Sequence, residues 1–409
     1  MNFLCRSGVL AVLGSALLGS LISAPAVASC TGEGIDLARP ALAVELADST
    51  DCGAHEFSWN AFLALMAPSD AAPDKALYQT YMPVSSLFVG NNEEPALWGE
   101  LDSYQRLGKM FKEAGIELEL IDTGGQKVLF NIAANEVAYN YLLDNKLYNQ
   151  QCFLNHDIRF PYGSEASGPG SILLKTSWRV YELGQCPSSM VCQDVYLDEH
   201  VAAGGPQQSA GLLGMHIVQK TPNHQEWIWA SFEHVANAPD CKPEQSNPIS
   251  ADRDWHLFTK TGADQTSCNV NSDKAPSCNG TGGGATNICR VSATPAGGVA
   301  NCEIENPNNE QAIACLNASI EQRLPAGSAL ANYRLVGSLR MEPGMSATSN
   351  DGYQAGSLAL ANTSMESFLQ GPEELFNCFG CHAQSSGDFS HVFFRIKQVA
   401  PTPDCPLVQ

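Results

Sequence analysis

The hydrophobic positions of this chain change period twice along its length. From Ser58 to Met66 the run Ser-Trp-Asn-Ala-Phe-Leu-Ala-Leu-Met, stopped by Pro68, predicts a short helix capped by Ser58. Between Pro95 and Ala114, Leu97, Leu101, Tyr104, Leu107 and Phe111 recur at three- and four-residue steps and Gly115 follows, which predicts a longer helix. Ile116, Leu118 and Leu120 then alternate with Glu117, Glu119 and Ile121 in a mostly strand-like pattern, and a third helix is predicted over Lys127 to Asp144. The middle of the chain turns to short runs rich in Val, Ile, Trp and Tyr: Ser171 to Leu183, Val191 to Leu197, Leu212 to Lys220 and Glu226 to Val235, separated by Gly, Pro and Asn. These read as antiparallel strands. Helical spacing returns at Asn309 to Arg323, at Leu358 to Leu369 and in the segment entering Cys378. The expected fold class is α+β, with a helix-rich N-terminal part, an antiparallel sheet in the middle and a C-terminal helical segment.

Two stretches stand outside this pattern. Val9 to Ile22 is short and apolar and leads to Ala26-Val27-Ala28, so residues 1–28 read as a signal peptide and 29–409 as a single exported domain. Val27-Ala28-Ser29-Cys30 also has the form of a lipid-attachment site, which keeps a lipid anchor through Cys30 open as the alternative to a periplasmic or secreted protein. No later run is long and apolar enough to span a membrane. The other stretch, 266–302, is Gly, Asn, Ser and Thr threaded with Cys268, Cys278, Cys289 and Cys302, a loop without its own core that disulfides would pin.

Export makes the cysteines informative. Of 15, Cys5 lies in the leader and two belong to the motif below, which leaves an even number for pairing in an oxidising compartment. That parity leans against lipidation of Cys30, which would strand one of them. A formal charge of −21 disfavours nucleic acid and anionic lipid as partners and suits a basic protein.

The chemistry concentrates at Cys378-Phe379-Gly380-Cys381-His382. Two thiols at this spacing can each add to a haem vinyl group, and the histidine that follows falls over the iron. A structural zinc pair is one alternative, but it would want a second ligand pair at similar spacing, and the sequence has no other Cys-x-x-Cys and no His-x-x-x-His. A thioredoxin-like disulfide is another, and it would want a preceding strand in a βαβ pattern.

At this point the chain resembles secreted bacterial cytochrome c family proteins with one Cys-x-x-Cys-His near the C-terminus. The resemblance is carried by Ser357-Leu-Ala-Leu-Ala-Asn-Thr-Ser-Met-Glu-Ser-Phe368, by Asn377 to His382 and by Phe389-Ser-His-Val-Phe393. It extends to Met215-His-Ile-Val-Gln-Lys-Thr-Pro-Asn-His224, Trp227-Ile-Trp229 and Phe232-Glu-His234, and more weakly to the region of Trp59. It implies secretion and one covalent haem c, attached at 357–397 with His382 as proximal iron ligand. It implies no particular reaction.

The sixth iron ligand is left open by the sequence. No Met follows His382, unlike in the small electron-carrier cytochromes. Strand alternation puts Trp227, Trp229, Ser231 and Glu233 on one face and Ile228, Ala230, Phe232 and His234 on the other. His234 on that apolar face is either a ligand or a hydrogen-bonded core residue. His216 and His391 are further distal candidates, and Met345 and Met365 are the thioether candidates. Arg395 and Lys397 would suit haem propionates or a solvated strand face. Electron transfer through a six-coordinate haem is the leading expectation. A haem enzyme of peroxidase or oxygenase type, with His216, His234 or Glu233 as distal acid or base, is the rival. A haem sensor or structural subunit is the third class.

Overall fold

The computed structural model describes residues 30–405 except 90–93, 101–105, 108–112, 116–117, 198–205, 242–252, 261–284, 293–301, 303–307, 346–352, 371–376, 383–384, 386, 391 and 394–404. Residues 1–28, which the sequence reads as a signal peptide, most of the 266–302 loop, His391, Arg395 and Lys397 lie outside the described residues.

Helix α1 runs Asp51–Met66 and so begins before Ser58. Thr50 is the true cap, accepting from the Gly53 N–H, and Asp51 adds a favourable negative charge in the first turn. The later helices are α2 (Glu136–Asp144), α3 (Gln150–Leu154), α4 (Asn309–Arg323) and the short α5 (Cys378–His382). Helix α4 has the predicted bounds because Asn308 and Gln311 form a reciprocal capping box at its start.

The strands in chain order are β1 (Met82–Pro83), β2 (Arg106–Leu107), β3 (Leu129–Ala134), β4 (Gly163–Ser164), β5 (Gly168–Pro169), β6 (Ile172–Tyr181), β7 (Cys192–Leu197), β8 (Gln208–Gln219), β9 (Ile228–His234), β10 (Tyr333–Met341) and β11 (Gln354–Gly356). One sheet runs β1-β3-β6-β8-β9-β10-β11, antiparallel throughout, and β7 shares an edge of β8. Strand β2 joins β7 as a parallel pair, and β4 and β5 form a separate hairpin. The protein is therefore mixed α and β around a large antiparallel sheet.

Four sequence expectations need correction. Pro95 to Ala114 is not a continuous helix: Arg106 and Leu107 pair with Tyr196 and Leu197, and Leu107 is drawn into the main core. Lys127 to Asp144 splits at Asn135 into β3 and α2. Leu129 to Ala134 is buried on both faces, so its spacing fits either element, and pairing with β6 decides for the strand. Asn135 ends it by capping α2 through the Ala138 N–H while also accepting from the Ile172 N–H. Leu358 to Leu369 is a series of turns rather than a helix, for reasons given with the site. Ile116 to Ile121 forms no strand at the residues described, only an isolated bridge from Ile121 to Lys127.

Alternation along the strands separates two cores. On one face Leu174, Ile217, Ala230, Phe232 and Leu335 meet Trp59 and Phe62 of α1 and Leu316 of α4. Phe62 stacks on Phe232 with ring centroids 4.3 Å apart. On the other face Leu173, Val218, Trp229 and Leu339 meet Tyr139 of α2, Phe160 and Phe379 of α5. Helix α5 is thus seated on the second face of the sheet.

Among the described residues five disulfides close the fold: Cys30–Cys52, Cys152–Cys405, Cys186–Cys192, Cys241–Cys289 and Cys302–Cys315. The first occupies the sulfur that a lipid anchor at Cys30 would need. The next to last and the last tie Cys289 and Cys302 of the cysteine-rich loop to segments on either side of it, while Cys268 and Cys278 lie outside the described residues. Peptide mapping under non-reducing conditions is expected to recover the Cys241–Cys289 and Cys302–Cys315 pairs. Recovery of Cys289 bonded to Cys268 or Cys278 would contradict this connectivity.

Candidate functional site

Three rows of side chains cross the second face of the sheet, set by the register of β6, β8 and β9. Leu173, Val218 and Trp229 form the first, Lys175, His216 and Ser231 the second, Ser177, Gly214 and Glu233 the third. The segment from Asn362 to Ser367 lies over these rows and hydrogen-bonds to them. Asn362 donates to the Phe232 carbonyl, Thr363 donates through backbone and hydroxyl to Glu233, Ser364 pairs with Ser177, and Glu366 accepts from His216 at 2.9 Å. This is why the apolar spacing of 358–369 does not become a helix. Its Asn, Thr and Ser side chains compete for backbone and sheet partners that a helix would deny them. Gly214 permits the approach, since a Cβ there would sit 2.8 Å from Asn362 Nδ2 and Ser364 Oγ.

Beside this segment lies a cleft of about 110 Å³, partly open to solvent. Its apolar walls include Leu173, Val218, Trp227, Trp229 and Val392, and its polar groups include Lys175, His216 and His382. The Trp229 ring lies 4.5 Å from that of His382 and packs edge-on to Phe379, which fixes α5 against β9.

His382 Nδ1 is 2.8 Å from the Phe389 carbonyl, an acceptor only, so Nδ1 carries the proton and donates. In the neutral ring the lone pair is then on Nε2, the arrangement in which an outer carbonyl prepares a histidine to bind metal.

Cys378 and Cys381 are the unbridged cysteines among the described residues. Burial pushes the Cys378 thiol well above its ordinary value, with the Glu366 charge adding to the effect, and the same causes raise Cys381. Among the described residues, the grouping of side chains at metal-binding distances is Cys30, Cys52 and Glu56, whose sulfurs are already joined. Two unbridged cysteines one helical turn apart, followed by a histidine oriented by a carbonyl, form a donor set that could hold a haem through its vinyl groups and iron.

Of the distal candidates, only His216 shares the cleft with His382 at the residues described. His234 is on the opposite face, 5.1 Å from Tyr333 in the first core. Its Nε2–H donates to the Ser189 carbonyl and its Nδ1 accepts from the Ala236 N–H, so both nitrogens are engaged. Strand alternation assigned its face properly, but helix α5 with His382 packs on the other one. Met365 is buried in a third core beside Phe130 and Leu213, and Met345 is exposed, so neither reaches the cleft. Glu233 is not an acid or base at this site: it is buried and ion-paired to Arg290 Nη2 at 2.5 Å.

Lys175 and Glu366 were not singled out from the sequence. Burial would raise the Glu366 carboxyl, but His216 and Lys175 outweigh it and hold the group below the usual carboxylate value. Only register could have found Lys175, since nothing in a single strand shows that it lies opposite His216. Among the described residues no helix is long and apolar enough to cross a membrane. Compared with family models, curated proteins and solved structures, the chain matches none.

Proposed function

We propose that this chain is an exported c-type cytochrome in which Cys378 and Cys381 hold one haem, His382 is its axial ligand, and single electrons pass to and from a basic partner protein. The observation that carries the reading is the Nδ1–H of His382 bonded to the Phe389 carbonyl beside two unbridged thiols. The haem would supply one-electron chemistry. The chain's part is to orient His382, to exclude water with Trp227, Trp229 and Val392, and to place Lys175 and a His216 braced by Glu366 on the facing wall. The acidic charge of the chain supports a basic partner.

One observation favours the enzymatic alternative. His216 Nε2 is already committed to Glu366, which leaves Nδ1 as its remaining nitrogen and makes a carboxylate-oriented imidazole available as an acid or base. Spectra of the purified, oxidised protein separate the two readings. Low-spin iron that becomes high-spin in His216→Ala is the expected result for the electron carrier. High-spin wild-type iron that binds cyanide rapidly would favour the enzyme. A denatured protein with no haem absorbance attached to the chain would refute both.

A further inference from the structure

The turn that carries the Phe389 carbonyl is held in an unfavourable shape. Asp388 and Phe389 sit consecutively in the left-handed region, at φ 55° and 59°, where residues other than glycine need support from their surroundings. The support is specific. Lys220 Nζ lies 2.6 Å from Asp388 Oδ2, with only 4% and 9% of the two side chains exposed. The same oxygen accepts from the Phe160 N–H at 2.8 Å, and the Asp388 carbonyl accepts from Trp227 Nε1 at 2.8 Å. The Lys220 ammonium also lies 5.1 Å over the Trp227 ring. Lys220 itself is fastened at the end of β8, its N–H donating to the Ser171 carbonyl.

We propose that the buried Lys220–Asp388 ion pair is a positioning device for His382: it holds the Asp388–Phe389 turn so that the Phe389 carbonyl meets His382 Nδ1. The proposal rests on the reading of His382 as an axial ligand. A buried ion pair adds little net stability compared with apolar side chains of the same size, so placement is the better physical reason for it. The chain of contacts runs from the sheet through Lys220, Asp388 and Phe389 to the histidine, without passing through the rest of α5. A carbonyl kept on Nδ1–H strengthens Nε2 as an electron donor. Losing it raises the haem reduction potential.

The test compares haem-loaded, full-length protein with Lys220→Met and with the double variant Lys220→Met/Asp388→Asn. The double variant leaves no lone buried charge, and asparagine tolerates the left-handed region, so it keeps the test decisive even if the single variant does not fold. In both, the potential is expected to rise and the His382 Nδ1 proton, followed by NMR in the reduced state, to exchange at least roughly tenfold faster. Covalent haem should stay stoichiometric. Variants that melt earlier but keep the wild-type potential and exchange rate would show a merely structural pair and overturn the proposal. If the wild type carries no covalent haem, the underlying reading fails instead, and Nδ1 exchange in the haem-free chain still decides whether the pair places His382.

Discussion

The Cys378→Ala/Cys381→Ala chain is expected to lose its covalent haem completely. Thioether bonds survive acid–acetone extraction and denaturing electrophoresis, whereas the bond from His382 to iron does not. The wild type should therefore keep one haem per chain through both treatments and the double variant none. Among the described residues no other sulfur can substitute, because the remaining cysteines there are consumed in disulfides. Intact mass is the direct measurement, since it reports the added group without assuming anything about its spectrum. Normal haem stoichiometry in the double variant would end the cytochrome reading.

The second large effect is on stability. Glu233→Ala is expected to cost about 3–5 kcal/mol, the usual penalty for leaving one partner of a buried ion pair alone. Glu233 accepts from Arg290 Nε at 2.7 Å, and the two side chains are 2% and 9% exposed. Burial works against the Arg290 charge, but Glu233 and Asp240 overcome it and raise the guanidinium above its ordinary value. Without Glu233 only Asp240, at 3.0 Å and nearly half exposed, remains to balance it. Glu233 also anchors Thr363, so the variant should loosen the segment that brings Glu366 to His216. Urea melts followed by tryptophan fluorescence give the stability change. A loss below about 1 kcal/mol would mean that the pair is not buried as described.

The sequence by itself determined what depends on neighbours along the chain. Asn308 and Gln311 are enough to start α4, and the Val, Ile and Trp runs are enough to call for β6 through β9. The spacing of Cys378, Cys381 and His382 needed no fold to suggest haem attachment. Strand β10 was not foreseen, although Tyr333 to Met341 is buried throughout except at Arg334. Arg334, Gly337, Ser338 and Arg340 interrupt its apolar pattern, and their partners are remote: Arg340 reaches Asp51 and Ser338 reaches His55.

Tertiary structure decided which face of the sheet mattered. Period-two alternation sorts His234 from Trp229, but it cannot say which side receives α5, because both sides are buried. It also cannot place residues 362–366, whose polar side chains find their partners more than a hundred residues away on β6, β8 and β9. Apolar spacing is a local property of the chain. The pairing of Lys175 with His216, and of Lys220 with Asp388, is set by strand register and loop closure, and these exist only once the sheet has formed.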